Sequence, residues 1–213
     1  MNDFTFHWHG LACLEIAVNR KLQPTLFRQL ALAARLLSES DVVDGATSSY
    51  GSLAAYWQTP PNDPDEAADT VAGKLSECLR IDANDLKVNA TQHVADIQYN
   101  GPDLNDVAAH CQCDPADVVQ RHTSVEYTVA AIGFLPHFGY LWGMDSAIAS
   151  PRRESPRTRV PAGAIGIAGE QTGIYPQESP GGWQLIGQVE PSQCRELCPR
   201  LRVGDTVLFR ELT

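Results

Sequence analysis

Residues 161 to 187 read PAGAIGIAGEQTGIYPQESPGGWQLIG, the densest cluster of glycine, proline and aromatic residues in the chain. The glycines and prolines separate short strand-like runs, such as residues 164 to 168. Glycine permits positive φ and close approach of neighbouring backbones. Many short strands joined by tight turns predict a β-barrel or a β-sandwich for this half of the chain.

The flanking sequence extends this pattern in both directions. Residues 128 to 132 read TVAAI, a continuous apolar run that predicts a buried strand. Residues 203 to 209 read VGDTVLF, a turn followed by a last strand. Between residues 101 and 122 the pattern instead predicts two short helices, at 103–111 and 115–122.

The first part of the chain shows a different order of elements. Apolar residues recur at helical spacing in two segments and alternate in shorter ones between them. The order β-α-β-β-α predicts a small α+β layer of the split βαβ kind. The predicted elements are a strand at 12–18, a helix at 24–37, strands at 42–47 and 53–57, and a helix at 65–79.

These two patterns predict two domains and an overall α+β class. A chain of 213 residues exceeds the usual size of a single domain. A further strand predicted at residues 86–94 either closes the first sheet or begins the second domain. We place the boundary near residue 84, which gives an N-terminal α+β domain at 1–84 and a C-terminal β-barrel domain at 85–213.

Composition excludes several classes of partner. The chain has 26 acidic against 16 basic residues and a net charge of -10, which disfavours nucleic acid. The N-terminus lacks the pattern of an export signal, and no segment approaches the roughly 18 apolar residues of a membrane span. We therefore expect a cytoplasmic protein without a membrane partner, whose six cysteines are reduced thiols.

Residues 150 to 161 read SPRRESPRTRVP and concentrate positive charge in an otherwise acidic chain. Because residues before proline favour extended backbone, the segment is predicted to be a non-helical loop. Guanidinium groups in such a loop can hold a carboxylate or a phosphate through paired hydrogen bonds. The alternative is a solvated loop with salt bridges to acidic residues. The arginines are Arg152, Arg153, Arg157 and Arg159.

Polar and aromatic residues in the neighbouring segments complete a candidate substrate site. Those residues can line a pocket on a sheet, and the aromatic ones can shape it. The alternative is that the glycines serve tight turns and that the aromatic residues belong to the core. The candidate substrate-binding residues are Arg152, Arg157, Gln171, Thr172, Tyr175, Trp183, Gln184 and Tyr140.

The sequence identifies no catalytic residue and predicts no metal site. His110, Cys111, Cys113 and His122 lie close together, but their spacing lacks the paired ligands of a zinc site. His137 is weak evidence for an acid or base, since it stands alone. There is no phosphate-binding loop, dinucleotide fingerprint or nucleophile elbow. Any ATP chemistry would therefore need another cradle or another subunit.

Taken together, several segments resemble the family of the 5-oxoprolinase B subunit, formerly called allophanate hydrolase subunit 1 and related to the kinase inhibitor KipI. The resemblance is strongest in GFLPHFGYLWGMD and SPRRESPRTRVPAG, and it continues through the glycine-rich stretch; it also includes GPDLNDVAAHC and VVQRHTSVEYTV. The resemblance implies that the C-terminal domain is a cyclophilin-like barrel.

The same resemblance implies an enzyme subunit that is inactive alone. The expected partners are the KipA-like C subunit of this enzyme and its LamB-type A subunit, while the substrate is a small carboxylate. The assembled complex would open 5-oxo-L-proline to L-glutamate with ATP as co-substrate, and no cofactor would be tightly bound. Alternatives are a KipI-type inhibitor of a sensor histidine kinase, or a component of urea or allophanate metabolism.

The sequence departs from the family pattern in three places. His137 stands where the family usually has glycine in Pro-Gly-Phe, and Glu170 stands where a glycine commonly precedes Gln-Thr-Gly. A cysteine-containing stretch, residues 194 to 198, replaces a Leu-Phe-Asp element. We expect these changes to preserve the fold and to affect the identity of the substrate.

Overall fold

The computed structural model describes residues 3–87 and 90–212, with Lys87 described by its backbone alone. The chain forms two compact units, Met1–Ala90 and Thr91–Thr213. This division falls a few residues after the predicted boundary at residue 84. None of the helices in the described ranges has the length and apolar character that a membrane span requires.

The first unit is an antiparallel sheet covered by helices. Its sheet has the order β1-β2-β4-β3, so β4 lies between β2 and β3 and runs antiparallel to both. The β2-α1-β3 connection is therefore the predicted split βαβ unit. The elements are β1 (Phe4–Trp8), β2 (Cys13–Val18), α1 (Pro24–Ser38), β3 (Gly45–Ser48), β4 (Ser52–Tyr56), α2 (Pro64–Cys78) and α3 (Ala83–Lys87).

The core of this unit follows from the two periodicities of the sequence. Leu14 and Ile16 alternate on one face of β2, and both are fully buried. Leu30 and Leu37 recur at helical spacing on α1 and belong to the same buried cluster. At the start of α2 the Asp63 carboxylate accepts hydrogen bonds from the amides of residues 65 and 66, both at 3.0 Å.

Two expectations about strands in this region were wrong or incomplete. The strand predicted at 86–94 does not include residue 86 or 87, which lie in α3; residues 88 and 89 lie outside the described ranges. The helix begins there because the Asp82 carboxylate accepts a hydrogen bond from the Asn84 amide at 2.8 Å. The sequence also failed to predict β1, an edge strand whose central residues are exposed.

The second unit is a closed seven-stranded barrel with the order β10-β7-β6-β13-β5-β12-β9. Strand β13 pairs in parallel with β5, and the other pairs are antiparallel. The seven strands of the barrel and two further strands, β8 and β11, are β5 (Gln92–Gln98), β6 (Glu126–Ile132), β7 (Gly139–Trp142), β8 (Arg157–Val160), β9 (Ala164–Ala168), β10 (Gln171–Ile174), β11 (Ser179–Gly181), β12 (Gln184–Val189) and β13 (Thr206–Glu211). The predicted barrel is confirmed.

Short helices complete this unit. They are α4 (Leu104–His110), α5 (Pro115–Thr123) and α6 (Pro191–Leu197), with 3₁₀ turns at Ser146–Ile148 and Cys198–Arg200. Strands β8 and β11 form a separate two-stranded ribbon outside the barrel. The two helices predicted between residues 103 and 122 are therefore present.

Glycine is required where strands of the barrel approach most closely. A β-carbon at Gly187 would lie 2.6 Å from the carbonyl oxygen of Gln98 on the neighbouring strand. Gly163 combines a φ of +84° with a similar approach, since a β-carbon there would lie 2.6 Å from the carbonyl oxygen of Val189. These contacts explain why the sequence between residues 161 and 187 is rich in glycine.

Candidate ligand-binding site

A cavity of about 290 Å³ lies beside the β8–β11 ribbon of the barrel unit. Four of the predicted substrate-binding residues line it, two tyrosines, a tryptophan and one arginine. Its walls are otherwise apolar or glycine. The lining residues are Phe134, Phe138, Tyr140, Arg152, Pro156, Tyr175, Pro180, Gly181, Gly182 and Trp183.

Phe138 is the centre of the aromatic wall. Its ring centroid lies 5.0 Å from that of Tyr140, and 5.3 Å from those of Tyr175 and Trp183. The planes of Phe138 and Trp183 meet at 89°, an edge-to-face arrangement that aromatic quadrupoles favour. Because Phe138 is buried and also packs against Phe134, with ring centroids 5.6 Å apart, it holds the aromatic wall together.

A tight turn before β7 places Phe138 in the aromatic wall. The Phe138 amide donates to the Leu135 carbonyl at 3.1 Å, and the Gly133 amide donates to the Phe138 carbonyl at 3.1 Å. Phe134 and His137 have φ values of 67° and 68° in this turn. Such values favour glycine. His137 is exposed and does not line the cavity.

Arg152 supplies the one charge among the residues that line this cavity. Its side chain is exposed and makes no hydrogen bond or ion pair with residues of the described ranges. The backbone on either side is held, because Gln184 Nε2 donates to the Pro151 carbonyl at 3.1 Å and the Arg153 amide donates to the Gly182 carbonyl at 2.8 Å. A free guanidinium on a fixed backbone suits an anionic group.

The other arginines of this segment already have acidic partners. Arg157 Nη2 lies 2.6 Å from Asp103 Oδ1, and Arg153 Nη1 lies 3.1 Å from the same oxygen. Arg159 Nε lies 2.6 Å from Glu178 Oε2 on the surface. Arg157 therefore pairs with an acidic residue and does not line the cavity. Salt bridges to acidic residues were the alternative interpretation of this arginine-rich segment.

Asp103 is the residue of this region that sequence reasoning missed. It is 2% exposed, and its Oδ2 accepts a hydrogen bond from the Leu185 amide at 2.6 Å. Asp103 occupies the cap position of α4, yet its side chain makes no capping hydrogen bond. The predicted helix at 103–111 included Asp103 as its first residue, and local pattern gave no sign of its contacts with the arginines.

Gln171, Thr172 and Gln184 are not among the residues that line the aromatic cavity. Thr172 is completely buried within the barrel. Gln184 instead lines a shallower cavity of about 410 Å³, which Arg152 also borders. Arg152 thus lies between the two cavities, and Gln184 supports the loop that carries it.

The His122 imidazole inside the barrel and the Tyr175 phenol in the aromatic wall are both neutral. Burial lowers the pKa of His122 to about 3, so the imidazole carries no charge at neutral pH. Burial also raises the pKa of Tyr175, which keeps its phenol protonated in the aromatic wall. The charge available for binding in the cavity therefore comes from Arg152.

The cysteine and histidine residues that we considered as metal ligands do not assemble. Both ring nitrogens of His122 lie within hydrogen-bond distance of hydroxyl groups, 2.7 Å from Tyr99 and 2.9 Å from Thr172. Within residues 3–87 and 90–212, no group of three or more His, Cys, Asp or Glu side chains is arranged to hold a metal ion. The cysteines are free thiols.

Comparison with known families assigns the chain to the carboxyltransferase-type domains. The family model for the carboxyltransferase domain, subdomain C and D, matches residues 4–193, so the chain belongs to that family. Curated relatives within it carry the name of the 5-oxoprolinase B subunit. The relative from Escherichia coli O157:H7 is 38% identical over 205 residues, which is 92% of each chain.

Two further relatives of the same name match over shorter stretches. The protein from Bacillus subtilis is 44% identical over 147 residues, which is 66% of this chain and 61% of that protein. The protein from Haemophilus influenzae is 49% identical over 112 residues, 51% of this chain and 53% of that protein. The predicted membership of the 5-oxoprolinase B subunit family is confirmed by these matches.

Solved structures show the same architecture. The protein TTHA0988 superposes with a TM-score of 0.72 at 30% identity; the match covers 94% of this chain and 40% of that one. PH0987 from Pyrococcus horikoshii gives a TM-score of 0.54 at 28% identity, covering 98% of this chain and 97% of the other. Kluyveromyces lactis urea carboxylase gives 0.74 at 15% identity, covering 99% and 22% of the two chains, a likeness that concerns the fold alone.

Proposed function

We propose that the chain is a non-autonomous subunit of an ATP-dependent 5-oxoprolinase, which converts 5-oxo-L-proline to L-glutamate. The observation that carries this proposal is the match to the 5-oxoprolinase B subunit of Escherichia coli over 92% of both chains. A subunit name implies an assembly of several chains. The partners that we propose are the KipA-like C subunit of such an enzyme and its LamB-type A subunit.

The aromatic cavity suits the substrate of the proposed reaction. 5-Oxoproline is a small five-membered lactam with a single carboxylate. Its flat ring fits between the faces and edges of Tyr140, Tyr175 and Trp183, while its carboxylate pairs with Arg152. Neutral walls around one guanidinium favour a monoanion, since a second negative charge would find no partner among the lining residues.

The residues of this cavity bind and orient but do not perform the chemistry. Opening a stable amide with ATP requires groups that hold phosphates and activate water. Phe138, the ring at the centre of the wall, offers neither, and the one cation among the lining residues is Arg152. We therefore assign the ATP site and the acid–base groups to the partner subunits. The barrel chain presents the substrate to them in the aromatic cavity.

Reconstitution tests the proposal directly. The chain is co-expressed with its KipA-like and LamB-type partners, and ATP-dependent formation of glutamate from 5-oxoproline is measured. We expect turnover by the assembled complex and none by any chain alone. Robust hydrolysis by the purified single chain would contradict non-autonomy. An assembled complex that forms no glutamate would contradict the proposed reaction.

A further inference from the structure

The buried Asp103 carboxylate joins two separate walls of the candidate site. Oδ1 contacts Arg153 Nη1 at 3.1 Å and Arg157 Nη2 at 2.6 Å, so it holds the arginine loop, residues 151–157. Oδ2 accepts from the Leu185 amide at 2.6 Å, at the start of the strand that follows Trp183. One carboxylate thereby links the charged side of the cavity to its aromatic side.

Contacts on both sides of Arg152 hold its backbone without involving its side chain. Arg153, the next residue, is held by Asp103 through its side chain and by the Gly182 carbonyl through its amide, at 2.8 Å. On the other side of Arg152, the Pro151 carbonyl accepts from Gln184 Nε2 at 3.1 Å. The backbone of Arg152 is therefore fixed, while its guanidinium has no partner among the residues that the structure describes.

Burial makes this arrangement dependent on the negative charge of Asp103. The residue is 2% exposed, and Arg157 is also largely withdrawn from water, with 22% of its side chain exposed. Arg153 Nε and Arg157 Nη1 are buried without another hydrogen-bond partner in the described ranges. Without the carboxylate, two guanidinium groups would remain in a partly dry setting, which favours movement of the loop towards water.

We propose that Asp103 is the positioning residue of the substrate site, holding Arg152 over the aromatic cavity so that it meets the carboxylate of 5-oxoproline. The choice of ligand rests on the proposed function, whereas the fixed position of Arg152 rests on the contacts of Asp103, the Gly182 carbonyl and the Gln184 side chain. Fixing the backbone that carries this cation in advance reduces the entropy that must be lost when a small ligand binds.

The substitution that tests this role is Asp103→Asn. Asparagine keeps the shape and removes the charge, and its amide nitrogen opposes either the Leu185 amide or the guanidinium groups. The matched control is Asp205→Asn. Asp205 is a second buried acid that accepts from the amides of Thr91 and Arg202 and from His93 Nε2, each at 2.9 Å, with no contact to the arginine loop.

The first measurement needs no ligand. Trypsin cleavage after Arg152, Arg153 and Arg157 reports local opening of the loop, because the protease cuts a segment only when it leaves its attachments. We expect Asp103→Asn to accelerate these cleavages about tenfold or more relative to Asp205→Asn, as suits the loss of charge-assisted hydrogen bonds. Equal cleavage rates in the two variants overturn the inference, whatever the protein's reaction.

The second measurement uses the assembled complex with ATP and 5-oxoproline. Asp103→Asn should raise KM about tenfold with kcat unchanged, whereas a merely structural role would lower kcat through loss of active protein. Adding Arg152→Ala to Asp103→Asn should give the KM of Arg152→Ala alone, because one residue acts through the other. Additive effects on KM contradict the positioning role of Asp103. A wild-type complex without turnover contradicts the proposed reaction, and the trypsin cleavage rates then decide whether Asp103 positions Arg152.

Discussion

Thr172 Oγ1 lies 2.9 Å from His122 Nε2 inside the barrel and donates its own hydrogen to the Gly166 carbonyl at 3.0 Å. Because the hydroxyl has one hydrogen, it must accept from His122, whose Nε2 is therefore protonated. Nδ1 then accepts from the Tyr99 hydroxyl at 2.7 Å. The imidazole is neutral and fully satisfied, although it is completely buried.

This neutral imidazole predicts a pH-dependent stability. The pKa of His122 falls from its ordinary 6.5 to about 3 on folding, because burial disfavours the charged form. Between these values the unfolded chain binds a proton that the folded chain does not. His122 therefore makes its full contribution to the free energy of unfolding above the pKa of the unfolded state. That contribution is lost as pH falls towards the pKa of the folded state, at about 1.4 kcal/mol per pH unit.

Urea denaturation across that pH interval measures the effect. His122→Gln removes the titrating group, so we expect the free energy of unfolding of the variant to depend less on pH than that of the wild type. The difference in slope should be about 1.4 kcal/mol per pH unit within the interval. Identical slopes would show that His122 is not buried as a neutral imidazole.

The hydroxyl of Thr172 should stabilise the barrel. Thr172→Val keeps the shape but leaves His122 Nε2 without an acceptor, at a cost of about 1–3 kcal/mol in unfolding free energy. Thr172→Ser, the control, keeps the hydroxyl and should cost about 1 kcal/mol for the lost methyl group. If urea denaturation shows that the valine variant is as stable as the serine variant, the stabilising role of the hydroxyl is contradicted.

Adjacent glycines of the cavity should respond differently to alanine. A β-carbon at Gly181 would lie 2.5 Å from the Tyr175 hydroxyl oxygen, whereas one at Gly182 would lie 3.6 Å from its nearest neighbour, in Pro156. Gly181→Ala must displace the Tyr175 ring, at a cost of about 1–3 kcal/mol, and Gly182→Ala should be tolerated.

Near-ultraviolet circular dichroism reports the packing of the aromatic wall, and KM reports its use. We expect Gly181→Ala to change both and Gly182→Ala to change neither. A Gly181→Ala variant with the spectrum and KM of the wild type would contradict the packing of Tyr175 against Gly181 and the place of Tyr175 in the binding site.

Two arginines of the same segment provide a contrast between a buried and an exposed ion pair. Arg157→Ala takes one partner from the buried Asp103, which retains Arg153 and the Leu185 amide, so we expect a loss of about 1–3 kcal/mol in unfolding free energy. Arg159 and Glu178 are exposed by 77% and 51%, and Arg159→Ala should cost between about 0 and 1 kcal/mol. Equal stabilities of the two variants in chemical denaturation would contradict the assigned role of Asp103.

The sequence predicted those parts of the molecule that depend on local pattern. Glycines between short apolar runs predicted the barrel because the strands approach too closely for side chains, as at Gly187. Alternating and helical periodicities predicted the split βαβ unit. The exposed edge strand β1 escaped prediction, since its pairing depends on the neighbouring strand and not on a buried face of its own.

The candidate site was predictable only in part, for a physical reason. Aromatic and arginine residues near glycines indicated the cavity that Tyr140, Tyr175 and Trp183 line. Whether an arginine is free or paired depends on contacts across some fifty residues, as between Asp103 and Arg157. Local pattern contains no information on such contacts, so Arg157 and Arg152 looked equivalent in the sequence.

The central claim is that the free guanidinium of Arg152 holds the substrate's carboxylate at the aromatic cavity. Steady-state kinetics of the assembled complex with 5-oxoproline and ATP test it through Arg152→Ala, with Arg159→Ala as the control for loss of one positive charge. The account predicts that Arg152→Ala raises KM for 5-oxoproline by about 10- to 100-fold and that Arg159→Ala leaves it unchanged. A KM unaffected by Arg152→Ala, or raised equally by both variants, would contradict it.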